Sequence, residues 1–381
     1  MQSNNEGVNF MELDTCNRVD AQTLENMLDF MLQERWNAPD DRLPAIMIWG
    51  PPGVGKSAIV RAAAEKNNCA FIDLRLAQME AIDIKGLPVP EKDGVHWKIS
   101  SAYPRDPESR GIIFLDELSA CDRTIQTAAY ELILDRKLGN DYRLPDNWLI
   151  VAAGNRIEDN ASALAMSSAL ANRFLHVELE YNPKCWIQWA IKNNIHGAVA
   201  GLIRFKPMLL ANTDENNQNL ERGFPTPRSW ERVSFLMNRC KEGTPESLFR
   251  AMVCGLVGNS AGLEVISFYN LYNEMQKIIN MMLEPESEIH IPADIAKRYA
   301  LASALSRTVW NTGVASEEVR LAGFYRISMA LPGDFAAMAM LDALEIGKQQ
   351  NIDTMKLITH PDYKAWIAKH GKALRGRSSN G

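Results

Sequence analysis

Ala45-Ile46-Met47-Ile48-Trp49-Gly50-Pro51-Pro52-Gly53-Val54-Gly55-Lys56-Ser57-Ala58 is the stretch that decides the fold. A five-residue apolar run (Ala45–Trp49) ends at a glycine-rich turn, and Ser57–Lys66 (SAIVRAAAEK) then reads as a helix. Strand, glycine loop and helix open an α/β unit. Gly50–Ser57 fits G-x4-G-K-[ST] at every fixed position. Phosphate chemistry dictates those residue types. Glycines let consecutive backbone N–H groups face the oxygens, and the helix N-terminus behind them adds favourable partial charge. Gly50, Pro51, Pro52, Gly53, Val54, Gly55, Lys56, Ser57 and Ala58 are therefore the candidate nucleotide-binding residues. Lys56 is placed on the β/γ oxygens of ATP and the Ser57 hydroxyl on Mg²⁺.

The same alternation continues downstream. Cys69–Leu74, Gly111–Leu115, Trp148–Ala153 and Leu175–Leu179 read as four further strands, separated by helical patterns such as Arg123–Leu134. Apolar runs divided by helices predict a five-stranded parallel sheet covered on both faces, a three-layer αβα core. Residues 22–36 form an additional helical pattern ahead of it. After Tyr181 strand runs stop and helical patterns dominate, with a polar loop at 212–223. The predicted division is an α/β core over 1–180, a helical lid over 181–268 and a helical extension of unassigned role over 269–381.

Ile112-Ile113-Phe114-Leu115-Asp116-Glu117 supplies the second half of the chemistry. Four apolar residues carry Asp116 to the carboxyl end of a strand, where open α/β sheets bind ligands and where it can hold the Mg²⁺ hydration shell. Glu117 is then placed to polarise an attacking water. Trp148–Ala153 is followed by Gly154 and Asn155, an amide at the end of a neighbouring strand.

Composition excludes several other classes. Of 381 residues 23% are charged, with a net charge of −6, so no global positive field draws nucleic acid or anionic membrane. The six cysteines and six histidines are dispersed without ligand spacing, which argues for reduced thiols and against a transition-metal site. Neither a secretory leader nor an apolar run of membrane-spanning length is present, so a cytoplasmic setting is expected. Met281, Met282, Met329, Met338 and Met340 read as helical core filler.

Taken together, Gly50–Ser57, Asp116–Glu117, Asn155, Ala171-Asn172-Arg173-Phe174 and Thr226-Pro227-Arg228 resemble the AAA+ superfamily, most closely its MoxR-like branch, near the dynein-related AAA ATPases and the McrB group. The resemblance covers about 20–260. It implies ATP hydrolysis with Mg²⁺ held through Ser57 and Asp116, and Glu117, Asn155, Arg173 and Arg228 as the catalytic set. Asn155 resembles the first sensor. Arg173 resembles an arginine finger acting on a neighbouring subunit, with Arg156 as the competing candidate. Arg228 resembles the second sensor, on a helix of the lid. Residues 83–97 and 136–145 resemble the helix-2 insert and the pre-sensor hairpin. The family further implies a homo-oligomeric, hexameric ring that remodels a protein client, with a von Willebrand A domain partner on a separate chain. The alternative is a McrB-like motor working with a nucleic-acid-processing partner.

Overall fold

The computed structural model describes residues 17–40, 42–92, 94–156, 166–211, 223–240 and 243–378. The five expected strands all form: β2 (Ala45–Trp49), β3 (Ala70–Arg75), β6 (Gly111–Asp116), β9 (Trp148–Gly154) and β10 (Phe174–Leu179). A sixth, β1 (Arg18–Val19), adds to the edge beside β10, giving the all-parallel order β1-β10-β2-β9-β6-β3. Its two residues carry no apolar run, and its strand character comes only from pairing Arg18 with Glu178 and Val19 with Leu179.

Strand order fixes the site. The strand that enters the glycine loop, β2, lies between β10 and β9, and β9 separates it from β6. All carboxyl ends share one edge, so Gly50, Asp116 and Asn155 emerge side by side. β6 and β9 are buried along nearly their whole lengths, as expected of central strands covered on both faces. Helix α1 (Ala21–Asn37) buries Leu24, Leu28, Met31 and Leu32, and Asp20 caps it by accepting from the Thr23 N–H. Helix α2 (Lys56–Lys66) follows the loop and packs against α1, and the Lys66 ammonium pairs with Asp29 of α1.

Two small hairpins decorate this unit. Behind the short helix α3 (Ala81–Lys85), β4 (Leu87–Glu91) pairs antiparallel with β5 (Gly94–Lys98). After helix α4 (Arg123–Asp135), β7 (Lys137–Leu138) pairs with β8 (Tyr142–Arg143). The buried Arg136 guanidinium holds the base of the second hairpin by donating to the carbonyls of Pro145 and Trp148, both at 2.8 Å.

The chain divides into two compact units, Met1–Glu180 and Tyr181–Gly381. The first unit ends its helices with α5 (Ser168–Ala171), and among the described residues the second contains helices and no strand: α6 (Pro183–Lys192), α7 (Gly197–Phe205), α8 (Pro227–Arg239), α9 (Glu246–Val257), α10 (Asn259–Met282), α11 (Ile295–Thr308), α12 (Glu317–Ala330), α13 (Gly333–Gln349), α14 (Met355–Ile358) and α15 (Tyr363–Ser378). One hydrophobic cluster runs through it from Trp186 to Trp366, joining residues on both sides of position 268. The largely buried Arg204 guanidinium on α7 grips Asp342 on α13 with both terminal nitrogens, and Trp310 donates to the Ala343 carbonyl. Met282, Met338 and Met340 are core residues as expected, whereas Met281 is 62% exposed because its helical position points outward.

Candidate nucleotide site

Gly55 has φ +110°, a backbone conformation that side-chain-bearing residues rarely adopt, and it caps α2 without a side chain. The loop therefore turns directly into the helix and leaves the first-turn N–H groups of α2 without intrahelical partners, the arrangement that favours an anion. Lys56, half-buried at the first position of α2, folds back over the loop. Its ammonium donates to the carbonyls of Gly50 (2.6 Å) and Pro51 (3.1 Å) and to Asn155 Oδ1 (2.8 Å). Ser57 lies one residue on, in the same first turn.

Asp116 ends β6 and Glu117 begins the turn after it. The Glu117 N–H donates to Asp116 Oδ1 at 2.9 Å, and Glu117 itself has φ +60°. A left-handed glutamate is uncommon and marks a site where backbone strain is tolerated. Its carboxylate is exposed and has no hydrogen-bond or ion-pair partner among the described residues. Burial raises the Asp116 carboxyl above the ordinary aspartate value; the nearby Asp73 and Glu117 carboxylates push the same way, while the Glu117 N–H and the Lys56 charge oppose them. This surplus of negative charge beside a helix N-terminus suits a divalent cation shared with a phosphate.

Asn155 is held by a residue that the sequence reading missed. The Asn155 N–H donates to Ser119 Oγ at 3.1 Å, and the Ser119 hydroxyl donates back to the Asn155 carbonyl at 3.1 Å. The Leu118 N–H also bonds the Ala153 carbonyl at 2.9 Å. This clasp needs Gly154, because a Cβ there would lie 2.6 Å from Ser119 Oγ. The only sequence hint is a serine two residues after Glu117, and nothing local connects it to position 155.

The predicted site residues thus separate into groups. Lys56, Ser57, Asp116, Glu117 and Asn155 share one sheet edge. Arg173 follows α5, is exposed and has no ion pair among the described residues. The helix before it spans Ser168–Ala171, and 157–165 lie outside the described residues. Arg156 is committed within its own chain, 3.5 Å from Glu178 Oε1, in a cluster that also holds Arg18. Arg228 is exposed in the first turn of α8, in the helical unit, where the capping box formed by Thr226 and Ser229 brackets it.

A parallel sheet with a glycine loop, an adjacent lysine and a strand-terminal acidic pair defines a P-loop nucleotide-hydrolysing domain. Residues 45–174 match the AAA domain (dynein-related subfamily). Among curated proteins the chain is similar to midasin of Giardia intestinalis, 26% identical over 187 residues, which is 47% of this chain and 4% of that protein. It is also similar to 26S proteasome regulatory subunit 6A of Schizosaccharomyces pombe, 28% identical over 135 residues, 32% of this chain and 28% of that subunit. The chain therefore spans a small part of the length of the relatives it matches. Among solved structures, a point mutant of Thermotoga maritima RuvB aligns at 17% identity and TM-score 0.37, over 79% of this chain and 87% of that one. Among the described residues no helix is long and apolar enough to cross a membrane.

Proposed function

We propose that the chain is a ring-forming AAA+ protein of the MoxR-like type that hydrolyses ATP at subunit boundaries and uses the cycle to remodel a protein client. One observation carries this reading: Lys56, Asp116, Glu117 and Asn155 are assembled at one edge, while the exposed Arg173 has no partner among the described residues and its rival Arg156 is paired with Glu178. A cation offered outward fits an arginine that completes a neighbour's site.

In this mechanism Lys56 exchanges its carbonyl and amide acceptors for the β/γ-phosphate oxygens of ATP. Ser57 and Asp116 would hold Mg²⁺, which supplies charge neutralisation on those phosphates when bound. Glu117 takes the proton of the attacking water, for which its free, exposed carboxylate is suited. Asn155, released by Lys56 and fixed through its backbone by Ser119, orients the water or the γ-phosphate. Arg173 of the adjacent subunit stabilises charge as the γ-phosphoryl leaves, and Arg228 reports nucleotide state to the helical unit.

The two hairpins would carry the motion outward. The Trp97 N–H on β5 donates to Asp141 Oδ2 at 2.7 Å, and His96 lies 3.5 Å from Asp141, so the 83–97 and 136–145 inserts are bound together. Val95 and Trp97 on β5 and Leu87 on β4 are exposed, 61%, 38% and 56% respectively, and offer apolar contact to a protein. A hexamer, a von Willebrand A domain partner on a separate chain and a cytoplasmic setting complete the proposal. The test is Arg173→Ala: nucleotide binding should persist while assembly-dependent hydrolysis is lost. Wild-type hydrolysis in that variant would reject the shared site.

A further inference from the structure

We propose that His176 is a positioning residue that ties the phosphate loop of a subunit to the arginine which that subunit offers its neighbour. The inference rests on the proposed role of Arg173 and extends it.

His176 lies on β10 opposite Met47 of β2, with Trp49 two residues further along the paired strand. Residues two apart share a face of a sheet, so the Trp49 indole and the His176 ring meet. Their planes lie within 10° of one another with centroids 6.1 Å apart, and the indole N–H donates to His176 Nδ1 at 2.8 Å, so the two rings meet edge to edge in nearly one plane. An indole nitrogen only donates, so Nδ1 is the acceptor and the ring proton sits on Nε2. From Nε2 the ring reaches the Ala171 carbonyl at 2.8 Å. That carbonyl ends α5 and has no helical turn after it to supply a donor. The edge of the same ring also meets Phe174, 6.0 Å between centroids.

Both ring nitrogens are therefore occupied, one on each side of a single connection. Trp49 is the residue immediately before Gly50. Ala171 and Phe174 bracket Arg173. A shift of the loop when Lys56 changes partners is carried through one hydrogen-bonded, edge-to-edge ring pair to the segment that presents the arginine. A ring shape alone does not explain the arrangement, because only an acceptor at Nδ1 combined with a donor at Nε2 satisfies both neighbours.

The experiment compares the wild-type chain with His176→Phe, Trp49→Phe and Arg173→Ala, and with the His176→Phe/Arg173→Ala double variant. ATP turnover is measured above the assembly concentration, alongside fluorescent-nucleotide affinity and particle mass. His176→Phe keeps a flat aromatic ring at the position and removes both polar contacts, and it should lower kcat about tenfold with KM and mass unchanged, the pattern of a group acting only in the transition state. Trp49→Phe, which deletes the donor alone, should move kcat in the same direction, and it keeps the test decisive if His176→Phe fails to fold. In the Arg173→Ala background His176→Phe should cost nothing more, because the two residues act in series. Loss of turnover in Arg173→Ala with wild-type rates in both aromatic variants would overturn the relay alone, as would a full additional loss in the double variant. Wild-type rates in Arg173→Ala would overturn the arginine's role and the relay with it.

Discussion

The Lys56 ammonium donates to the side-chain oxygen of Asn155 across 2.8 Å, joining the phosphate loop directly to the end of β9. Two groups placed for the same phosphate thus contact one another directly. Lys56→Ala should weaken nucleotide affinity on the order of 100-fold, the scale of losing a charge-assisted hydrogen bond set. Asn155→Ala should bind nucleotide normally and turn over on the order of 100-fold more slowly, as for removal of one preorganised polar group. Nucleotide titration and steady-state rates separate the two.

The Ser119 clasp makes a second prediction. Ser119→Ala leaves the Asn155 N–H and carbonyl without their partner, and should cost about 1 kcal/mol of stability together with a drop in kcat. Gly154→Ala drives a methyl into Ser119 Oγ at 2.6 Å and Met47 Cε at 2.8 Å, and should destabilise by about 1–3 kcal/mol through overpacking. Denaturant unfolding checks both. A Gly154→Ala protein as stable as wild type would show that β9 can move away from Ser119.

What is legible in the sequence follows the range of each interaction. The glycine loop, Asp116–Glu117 and five strands are encoded in contiguous residues, so motif and apolar run suffice. β1 has two residues and exists only because β10 offers an edge. Ser119 and His176 look ordinary because their partners lie 36 and 127 residues away along the chain. Helical periodicity marks the second unit as helical but does not say which helix packs on which. It therefore suggests a lid and an extension where one core runs from Trp186 to Trp366.

That shared core has a direct consequence. The Arg204 and Asp342 side chains are largely buried, and Asp342→Ala strands the guanidinium without its counter-charge, a change expected to cost about 3–5 kcal/mol. A chain ending at residue 268 loses the same partner and the apolar surface of α11 and α13, and should be insoluble or lose helical signal by circular dichroism. A soluble, fully helical truncation would mean that 181–268 folds independently.

Acidity gives a further test. The Asp116 carboxyl is raised from 3.8, chiefly by burial. Because the folded-state value lies above the unfolded one, the native protein binds the proton more tightly, and stability falls as pH rises through that window. Asp116→Asn should therefore raise the thermal midpoint of the nucleotide-free protein at neutral pH, flatten its decline above pH 3.8 and abolish turnover. Thermal scans across pH, with rates in parallel, check this. A lowered midpoint at neutral pH would show that the ionised carboxylate is stabilising.

The two arginines divide cleanly. Arg173→Ala should reduce assembled turnover on the order of 1,000-fold, the effect of removing an arginine finger. Arg156→Ala breaks a partly exposed pair with Glu178 and should change stability by less than about 1 kcal/mol. The reverse result would transfer the role to Arg156.

The most direct measurement of the central claim is ATP turnover per subunit as a function of protein concentration, with particle mass determined in the same samples with and without ATP and Mg²⁺. A shared site predicts a rate per subunit that rises steeply as a ring assembles and then levels off. A rate that stays constant from monomer upward would contradict it.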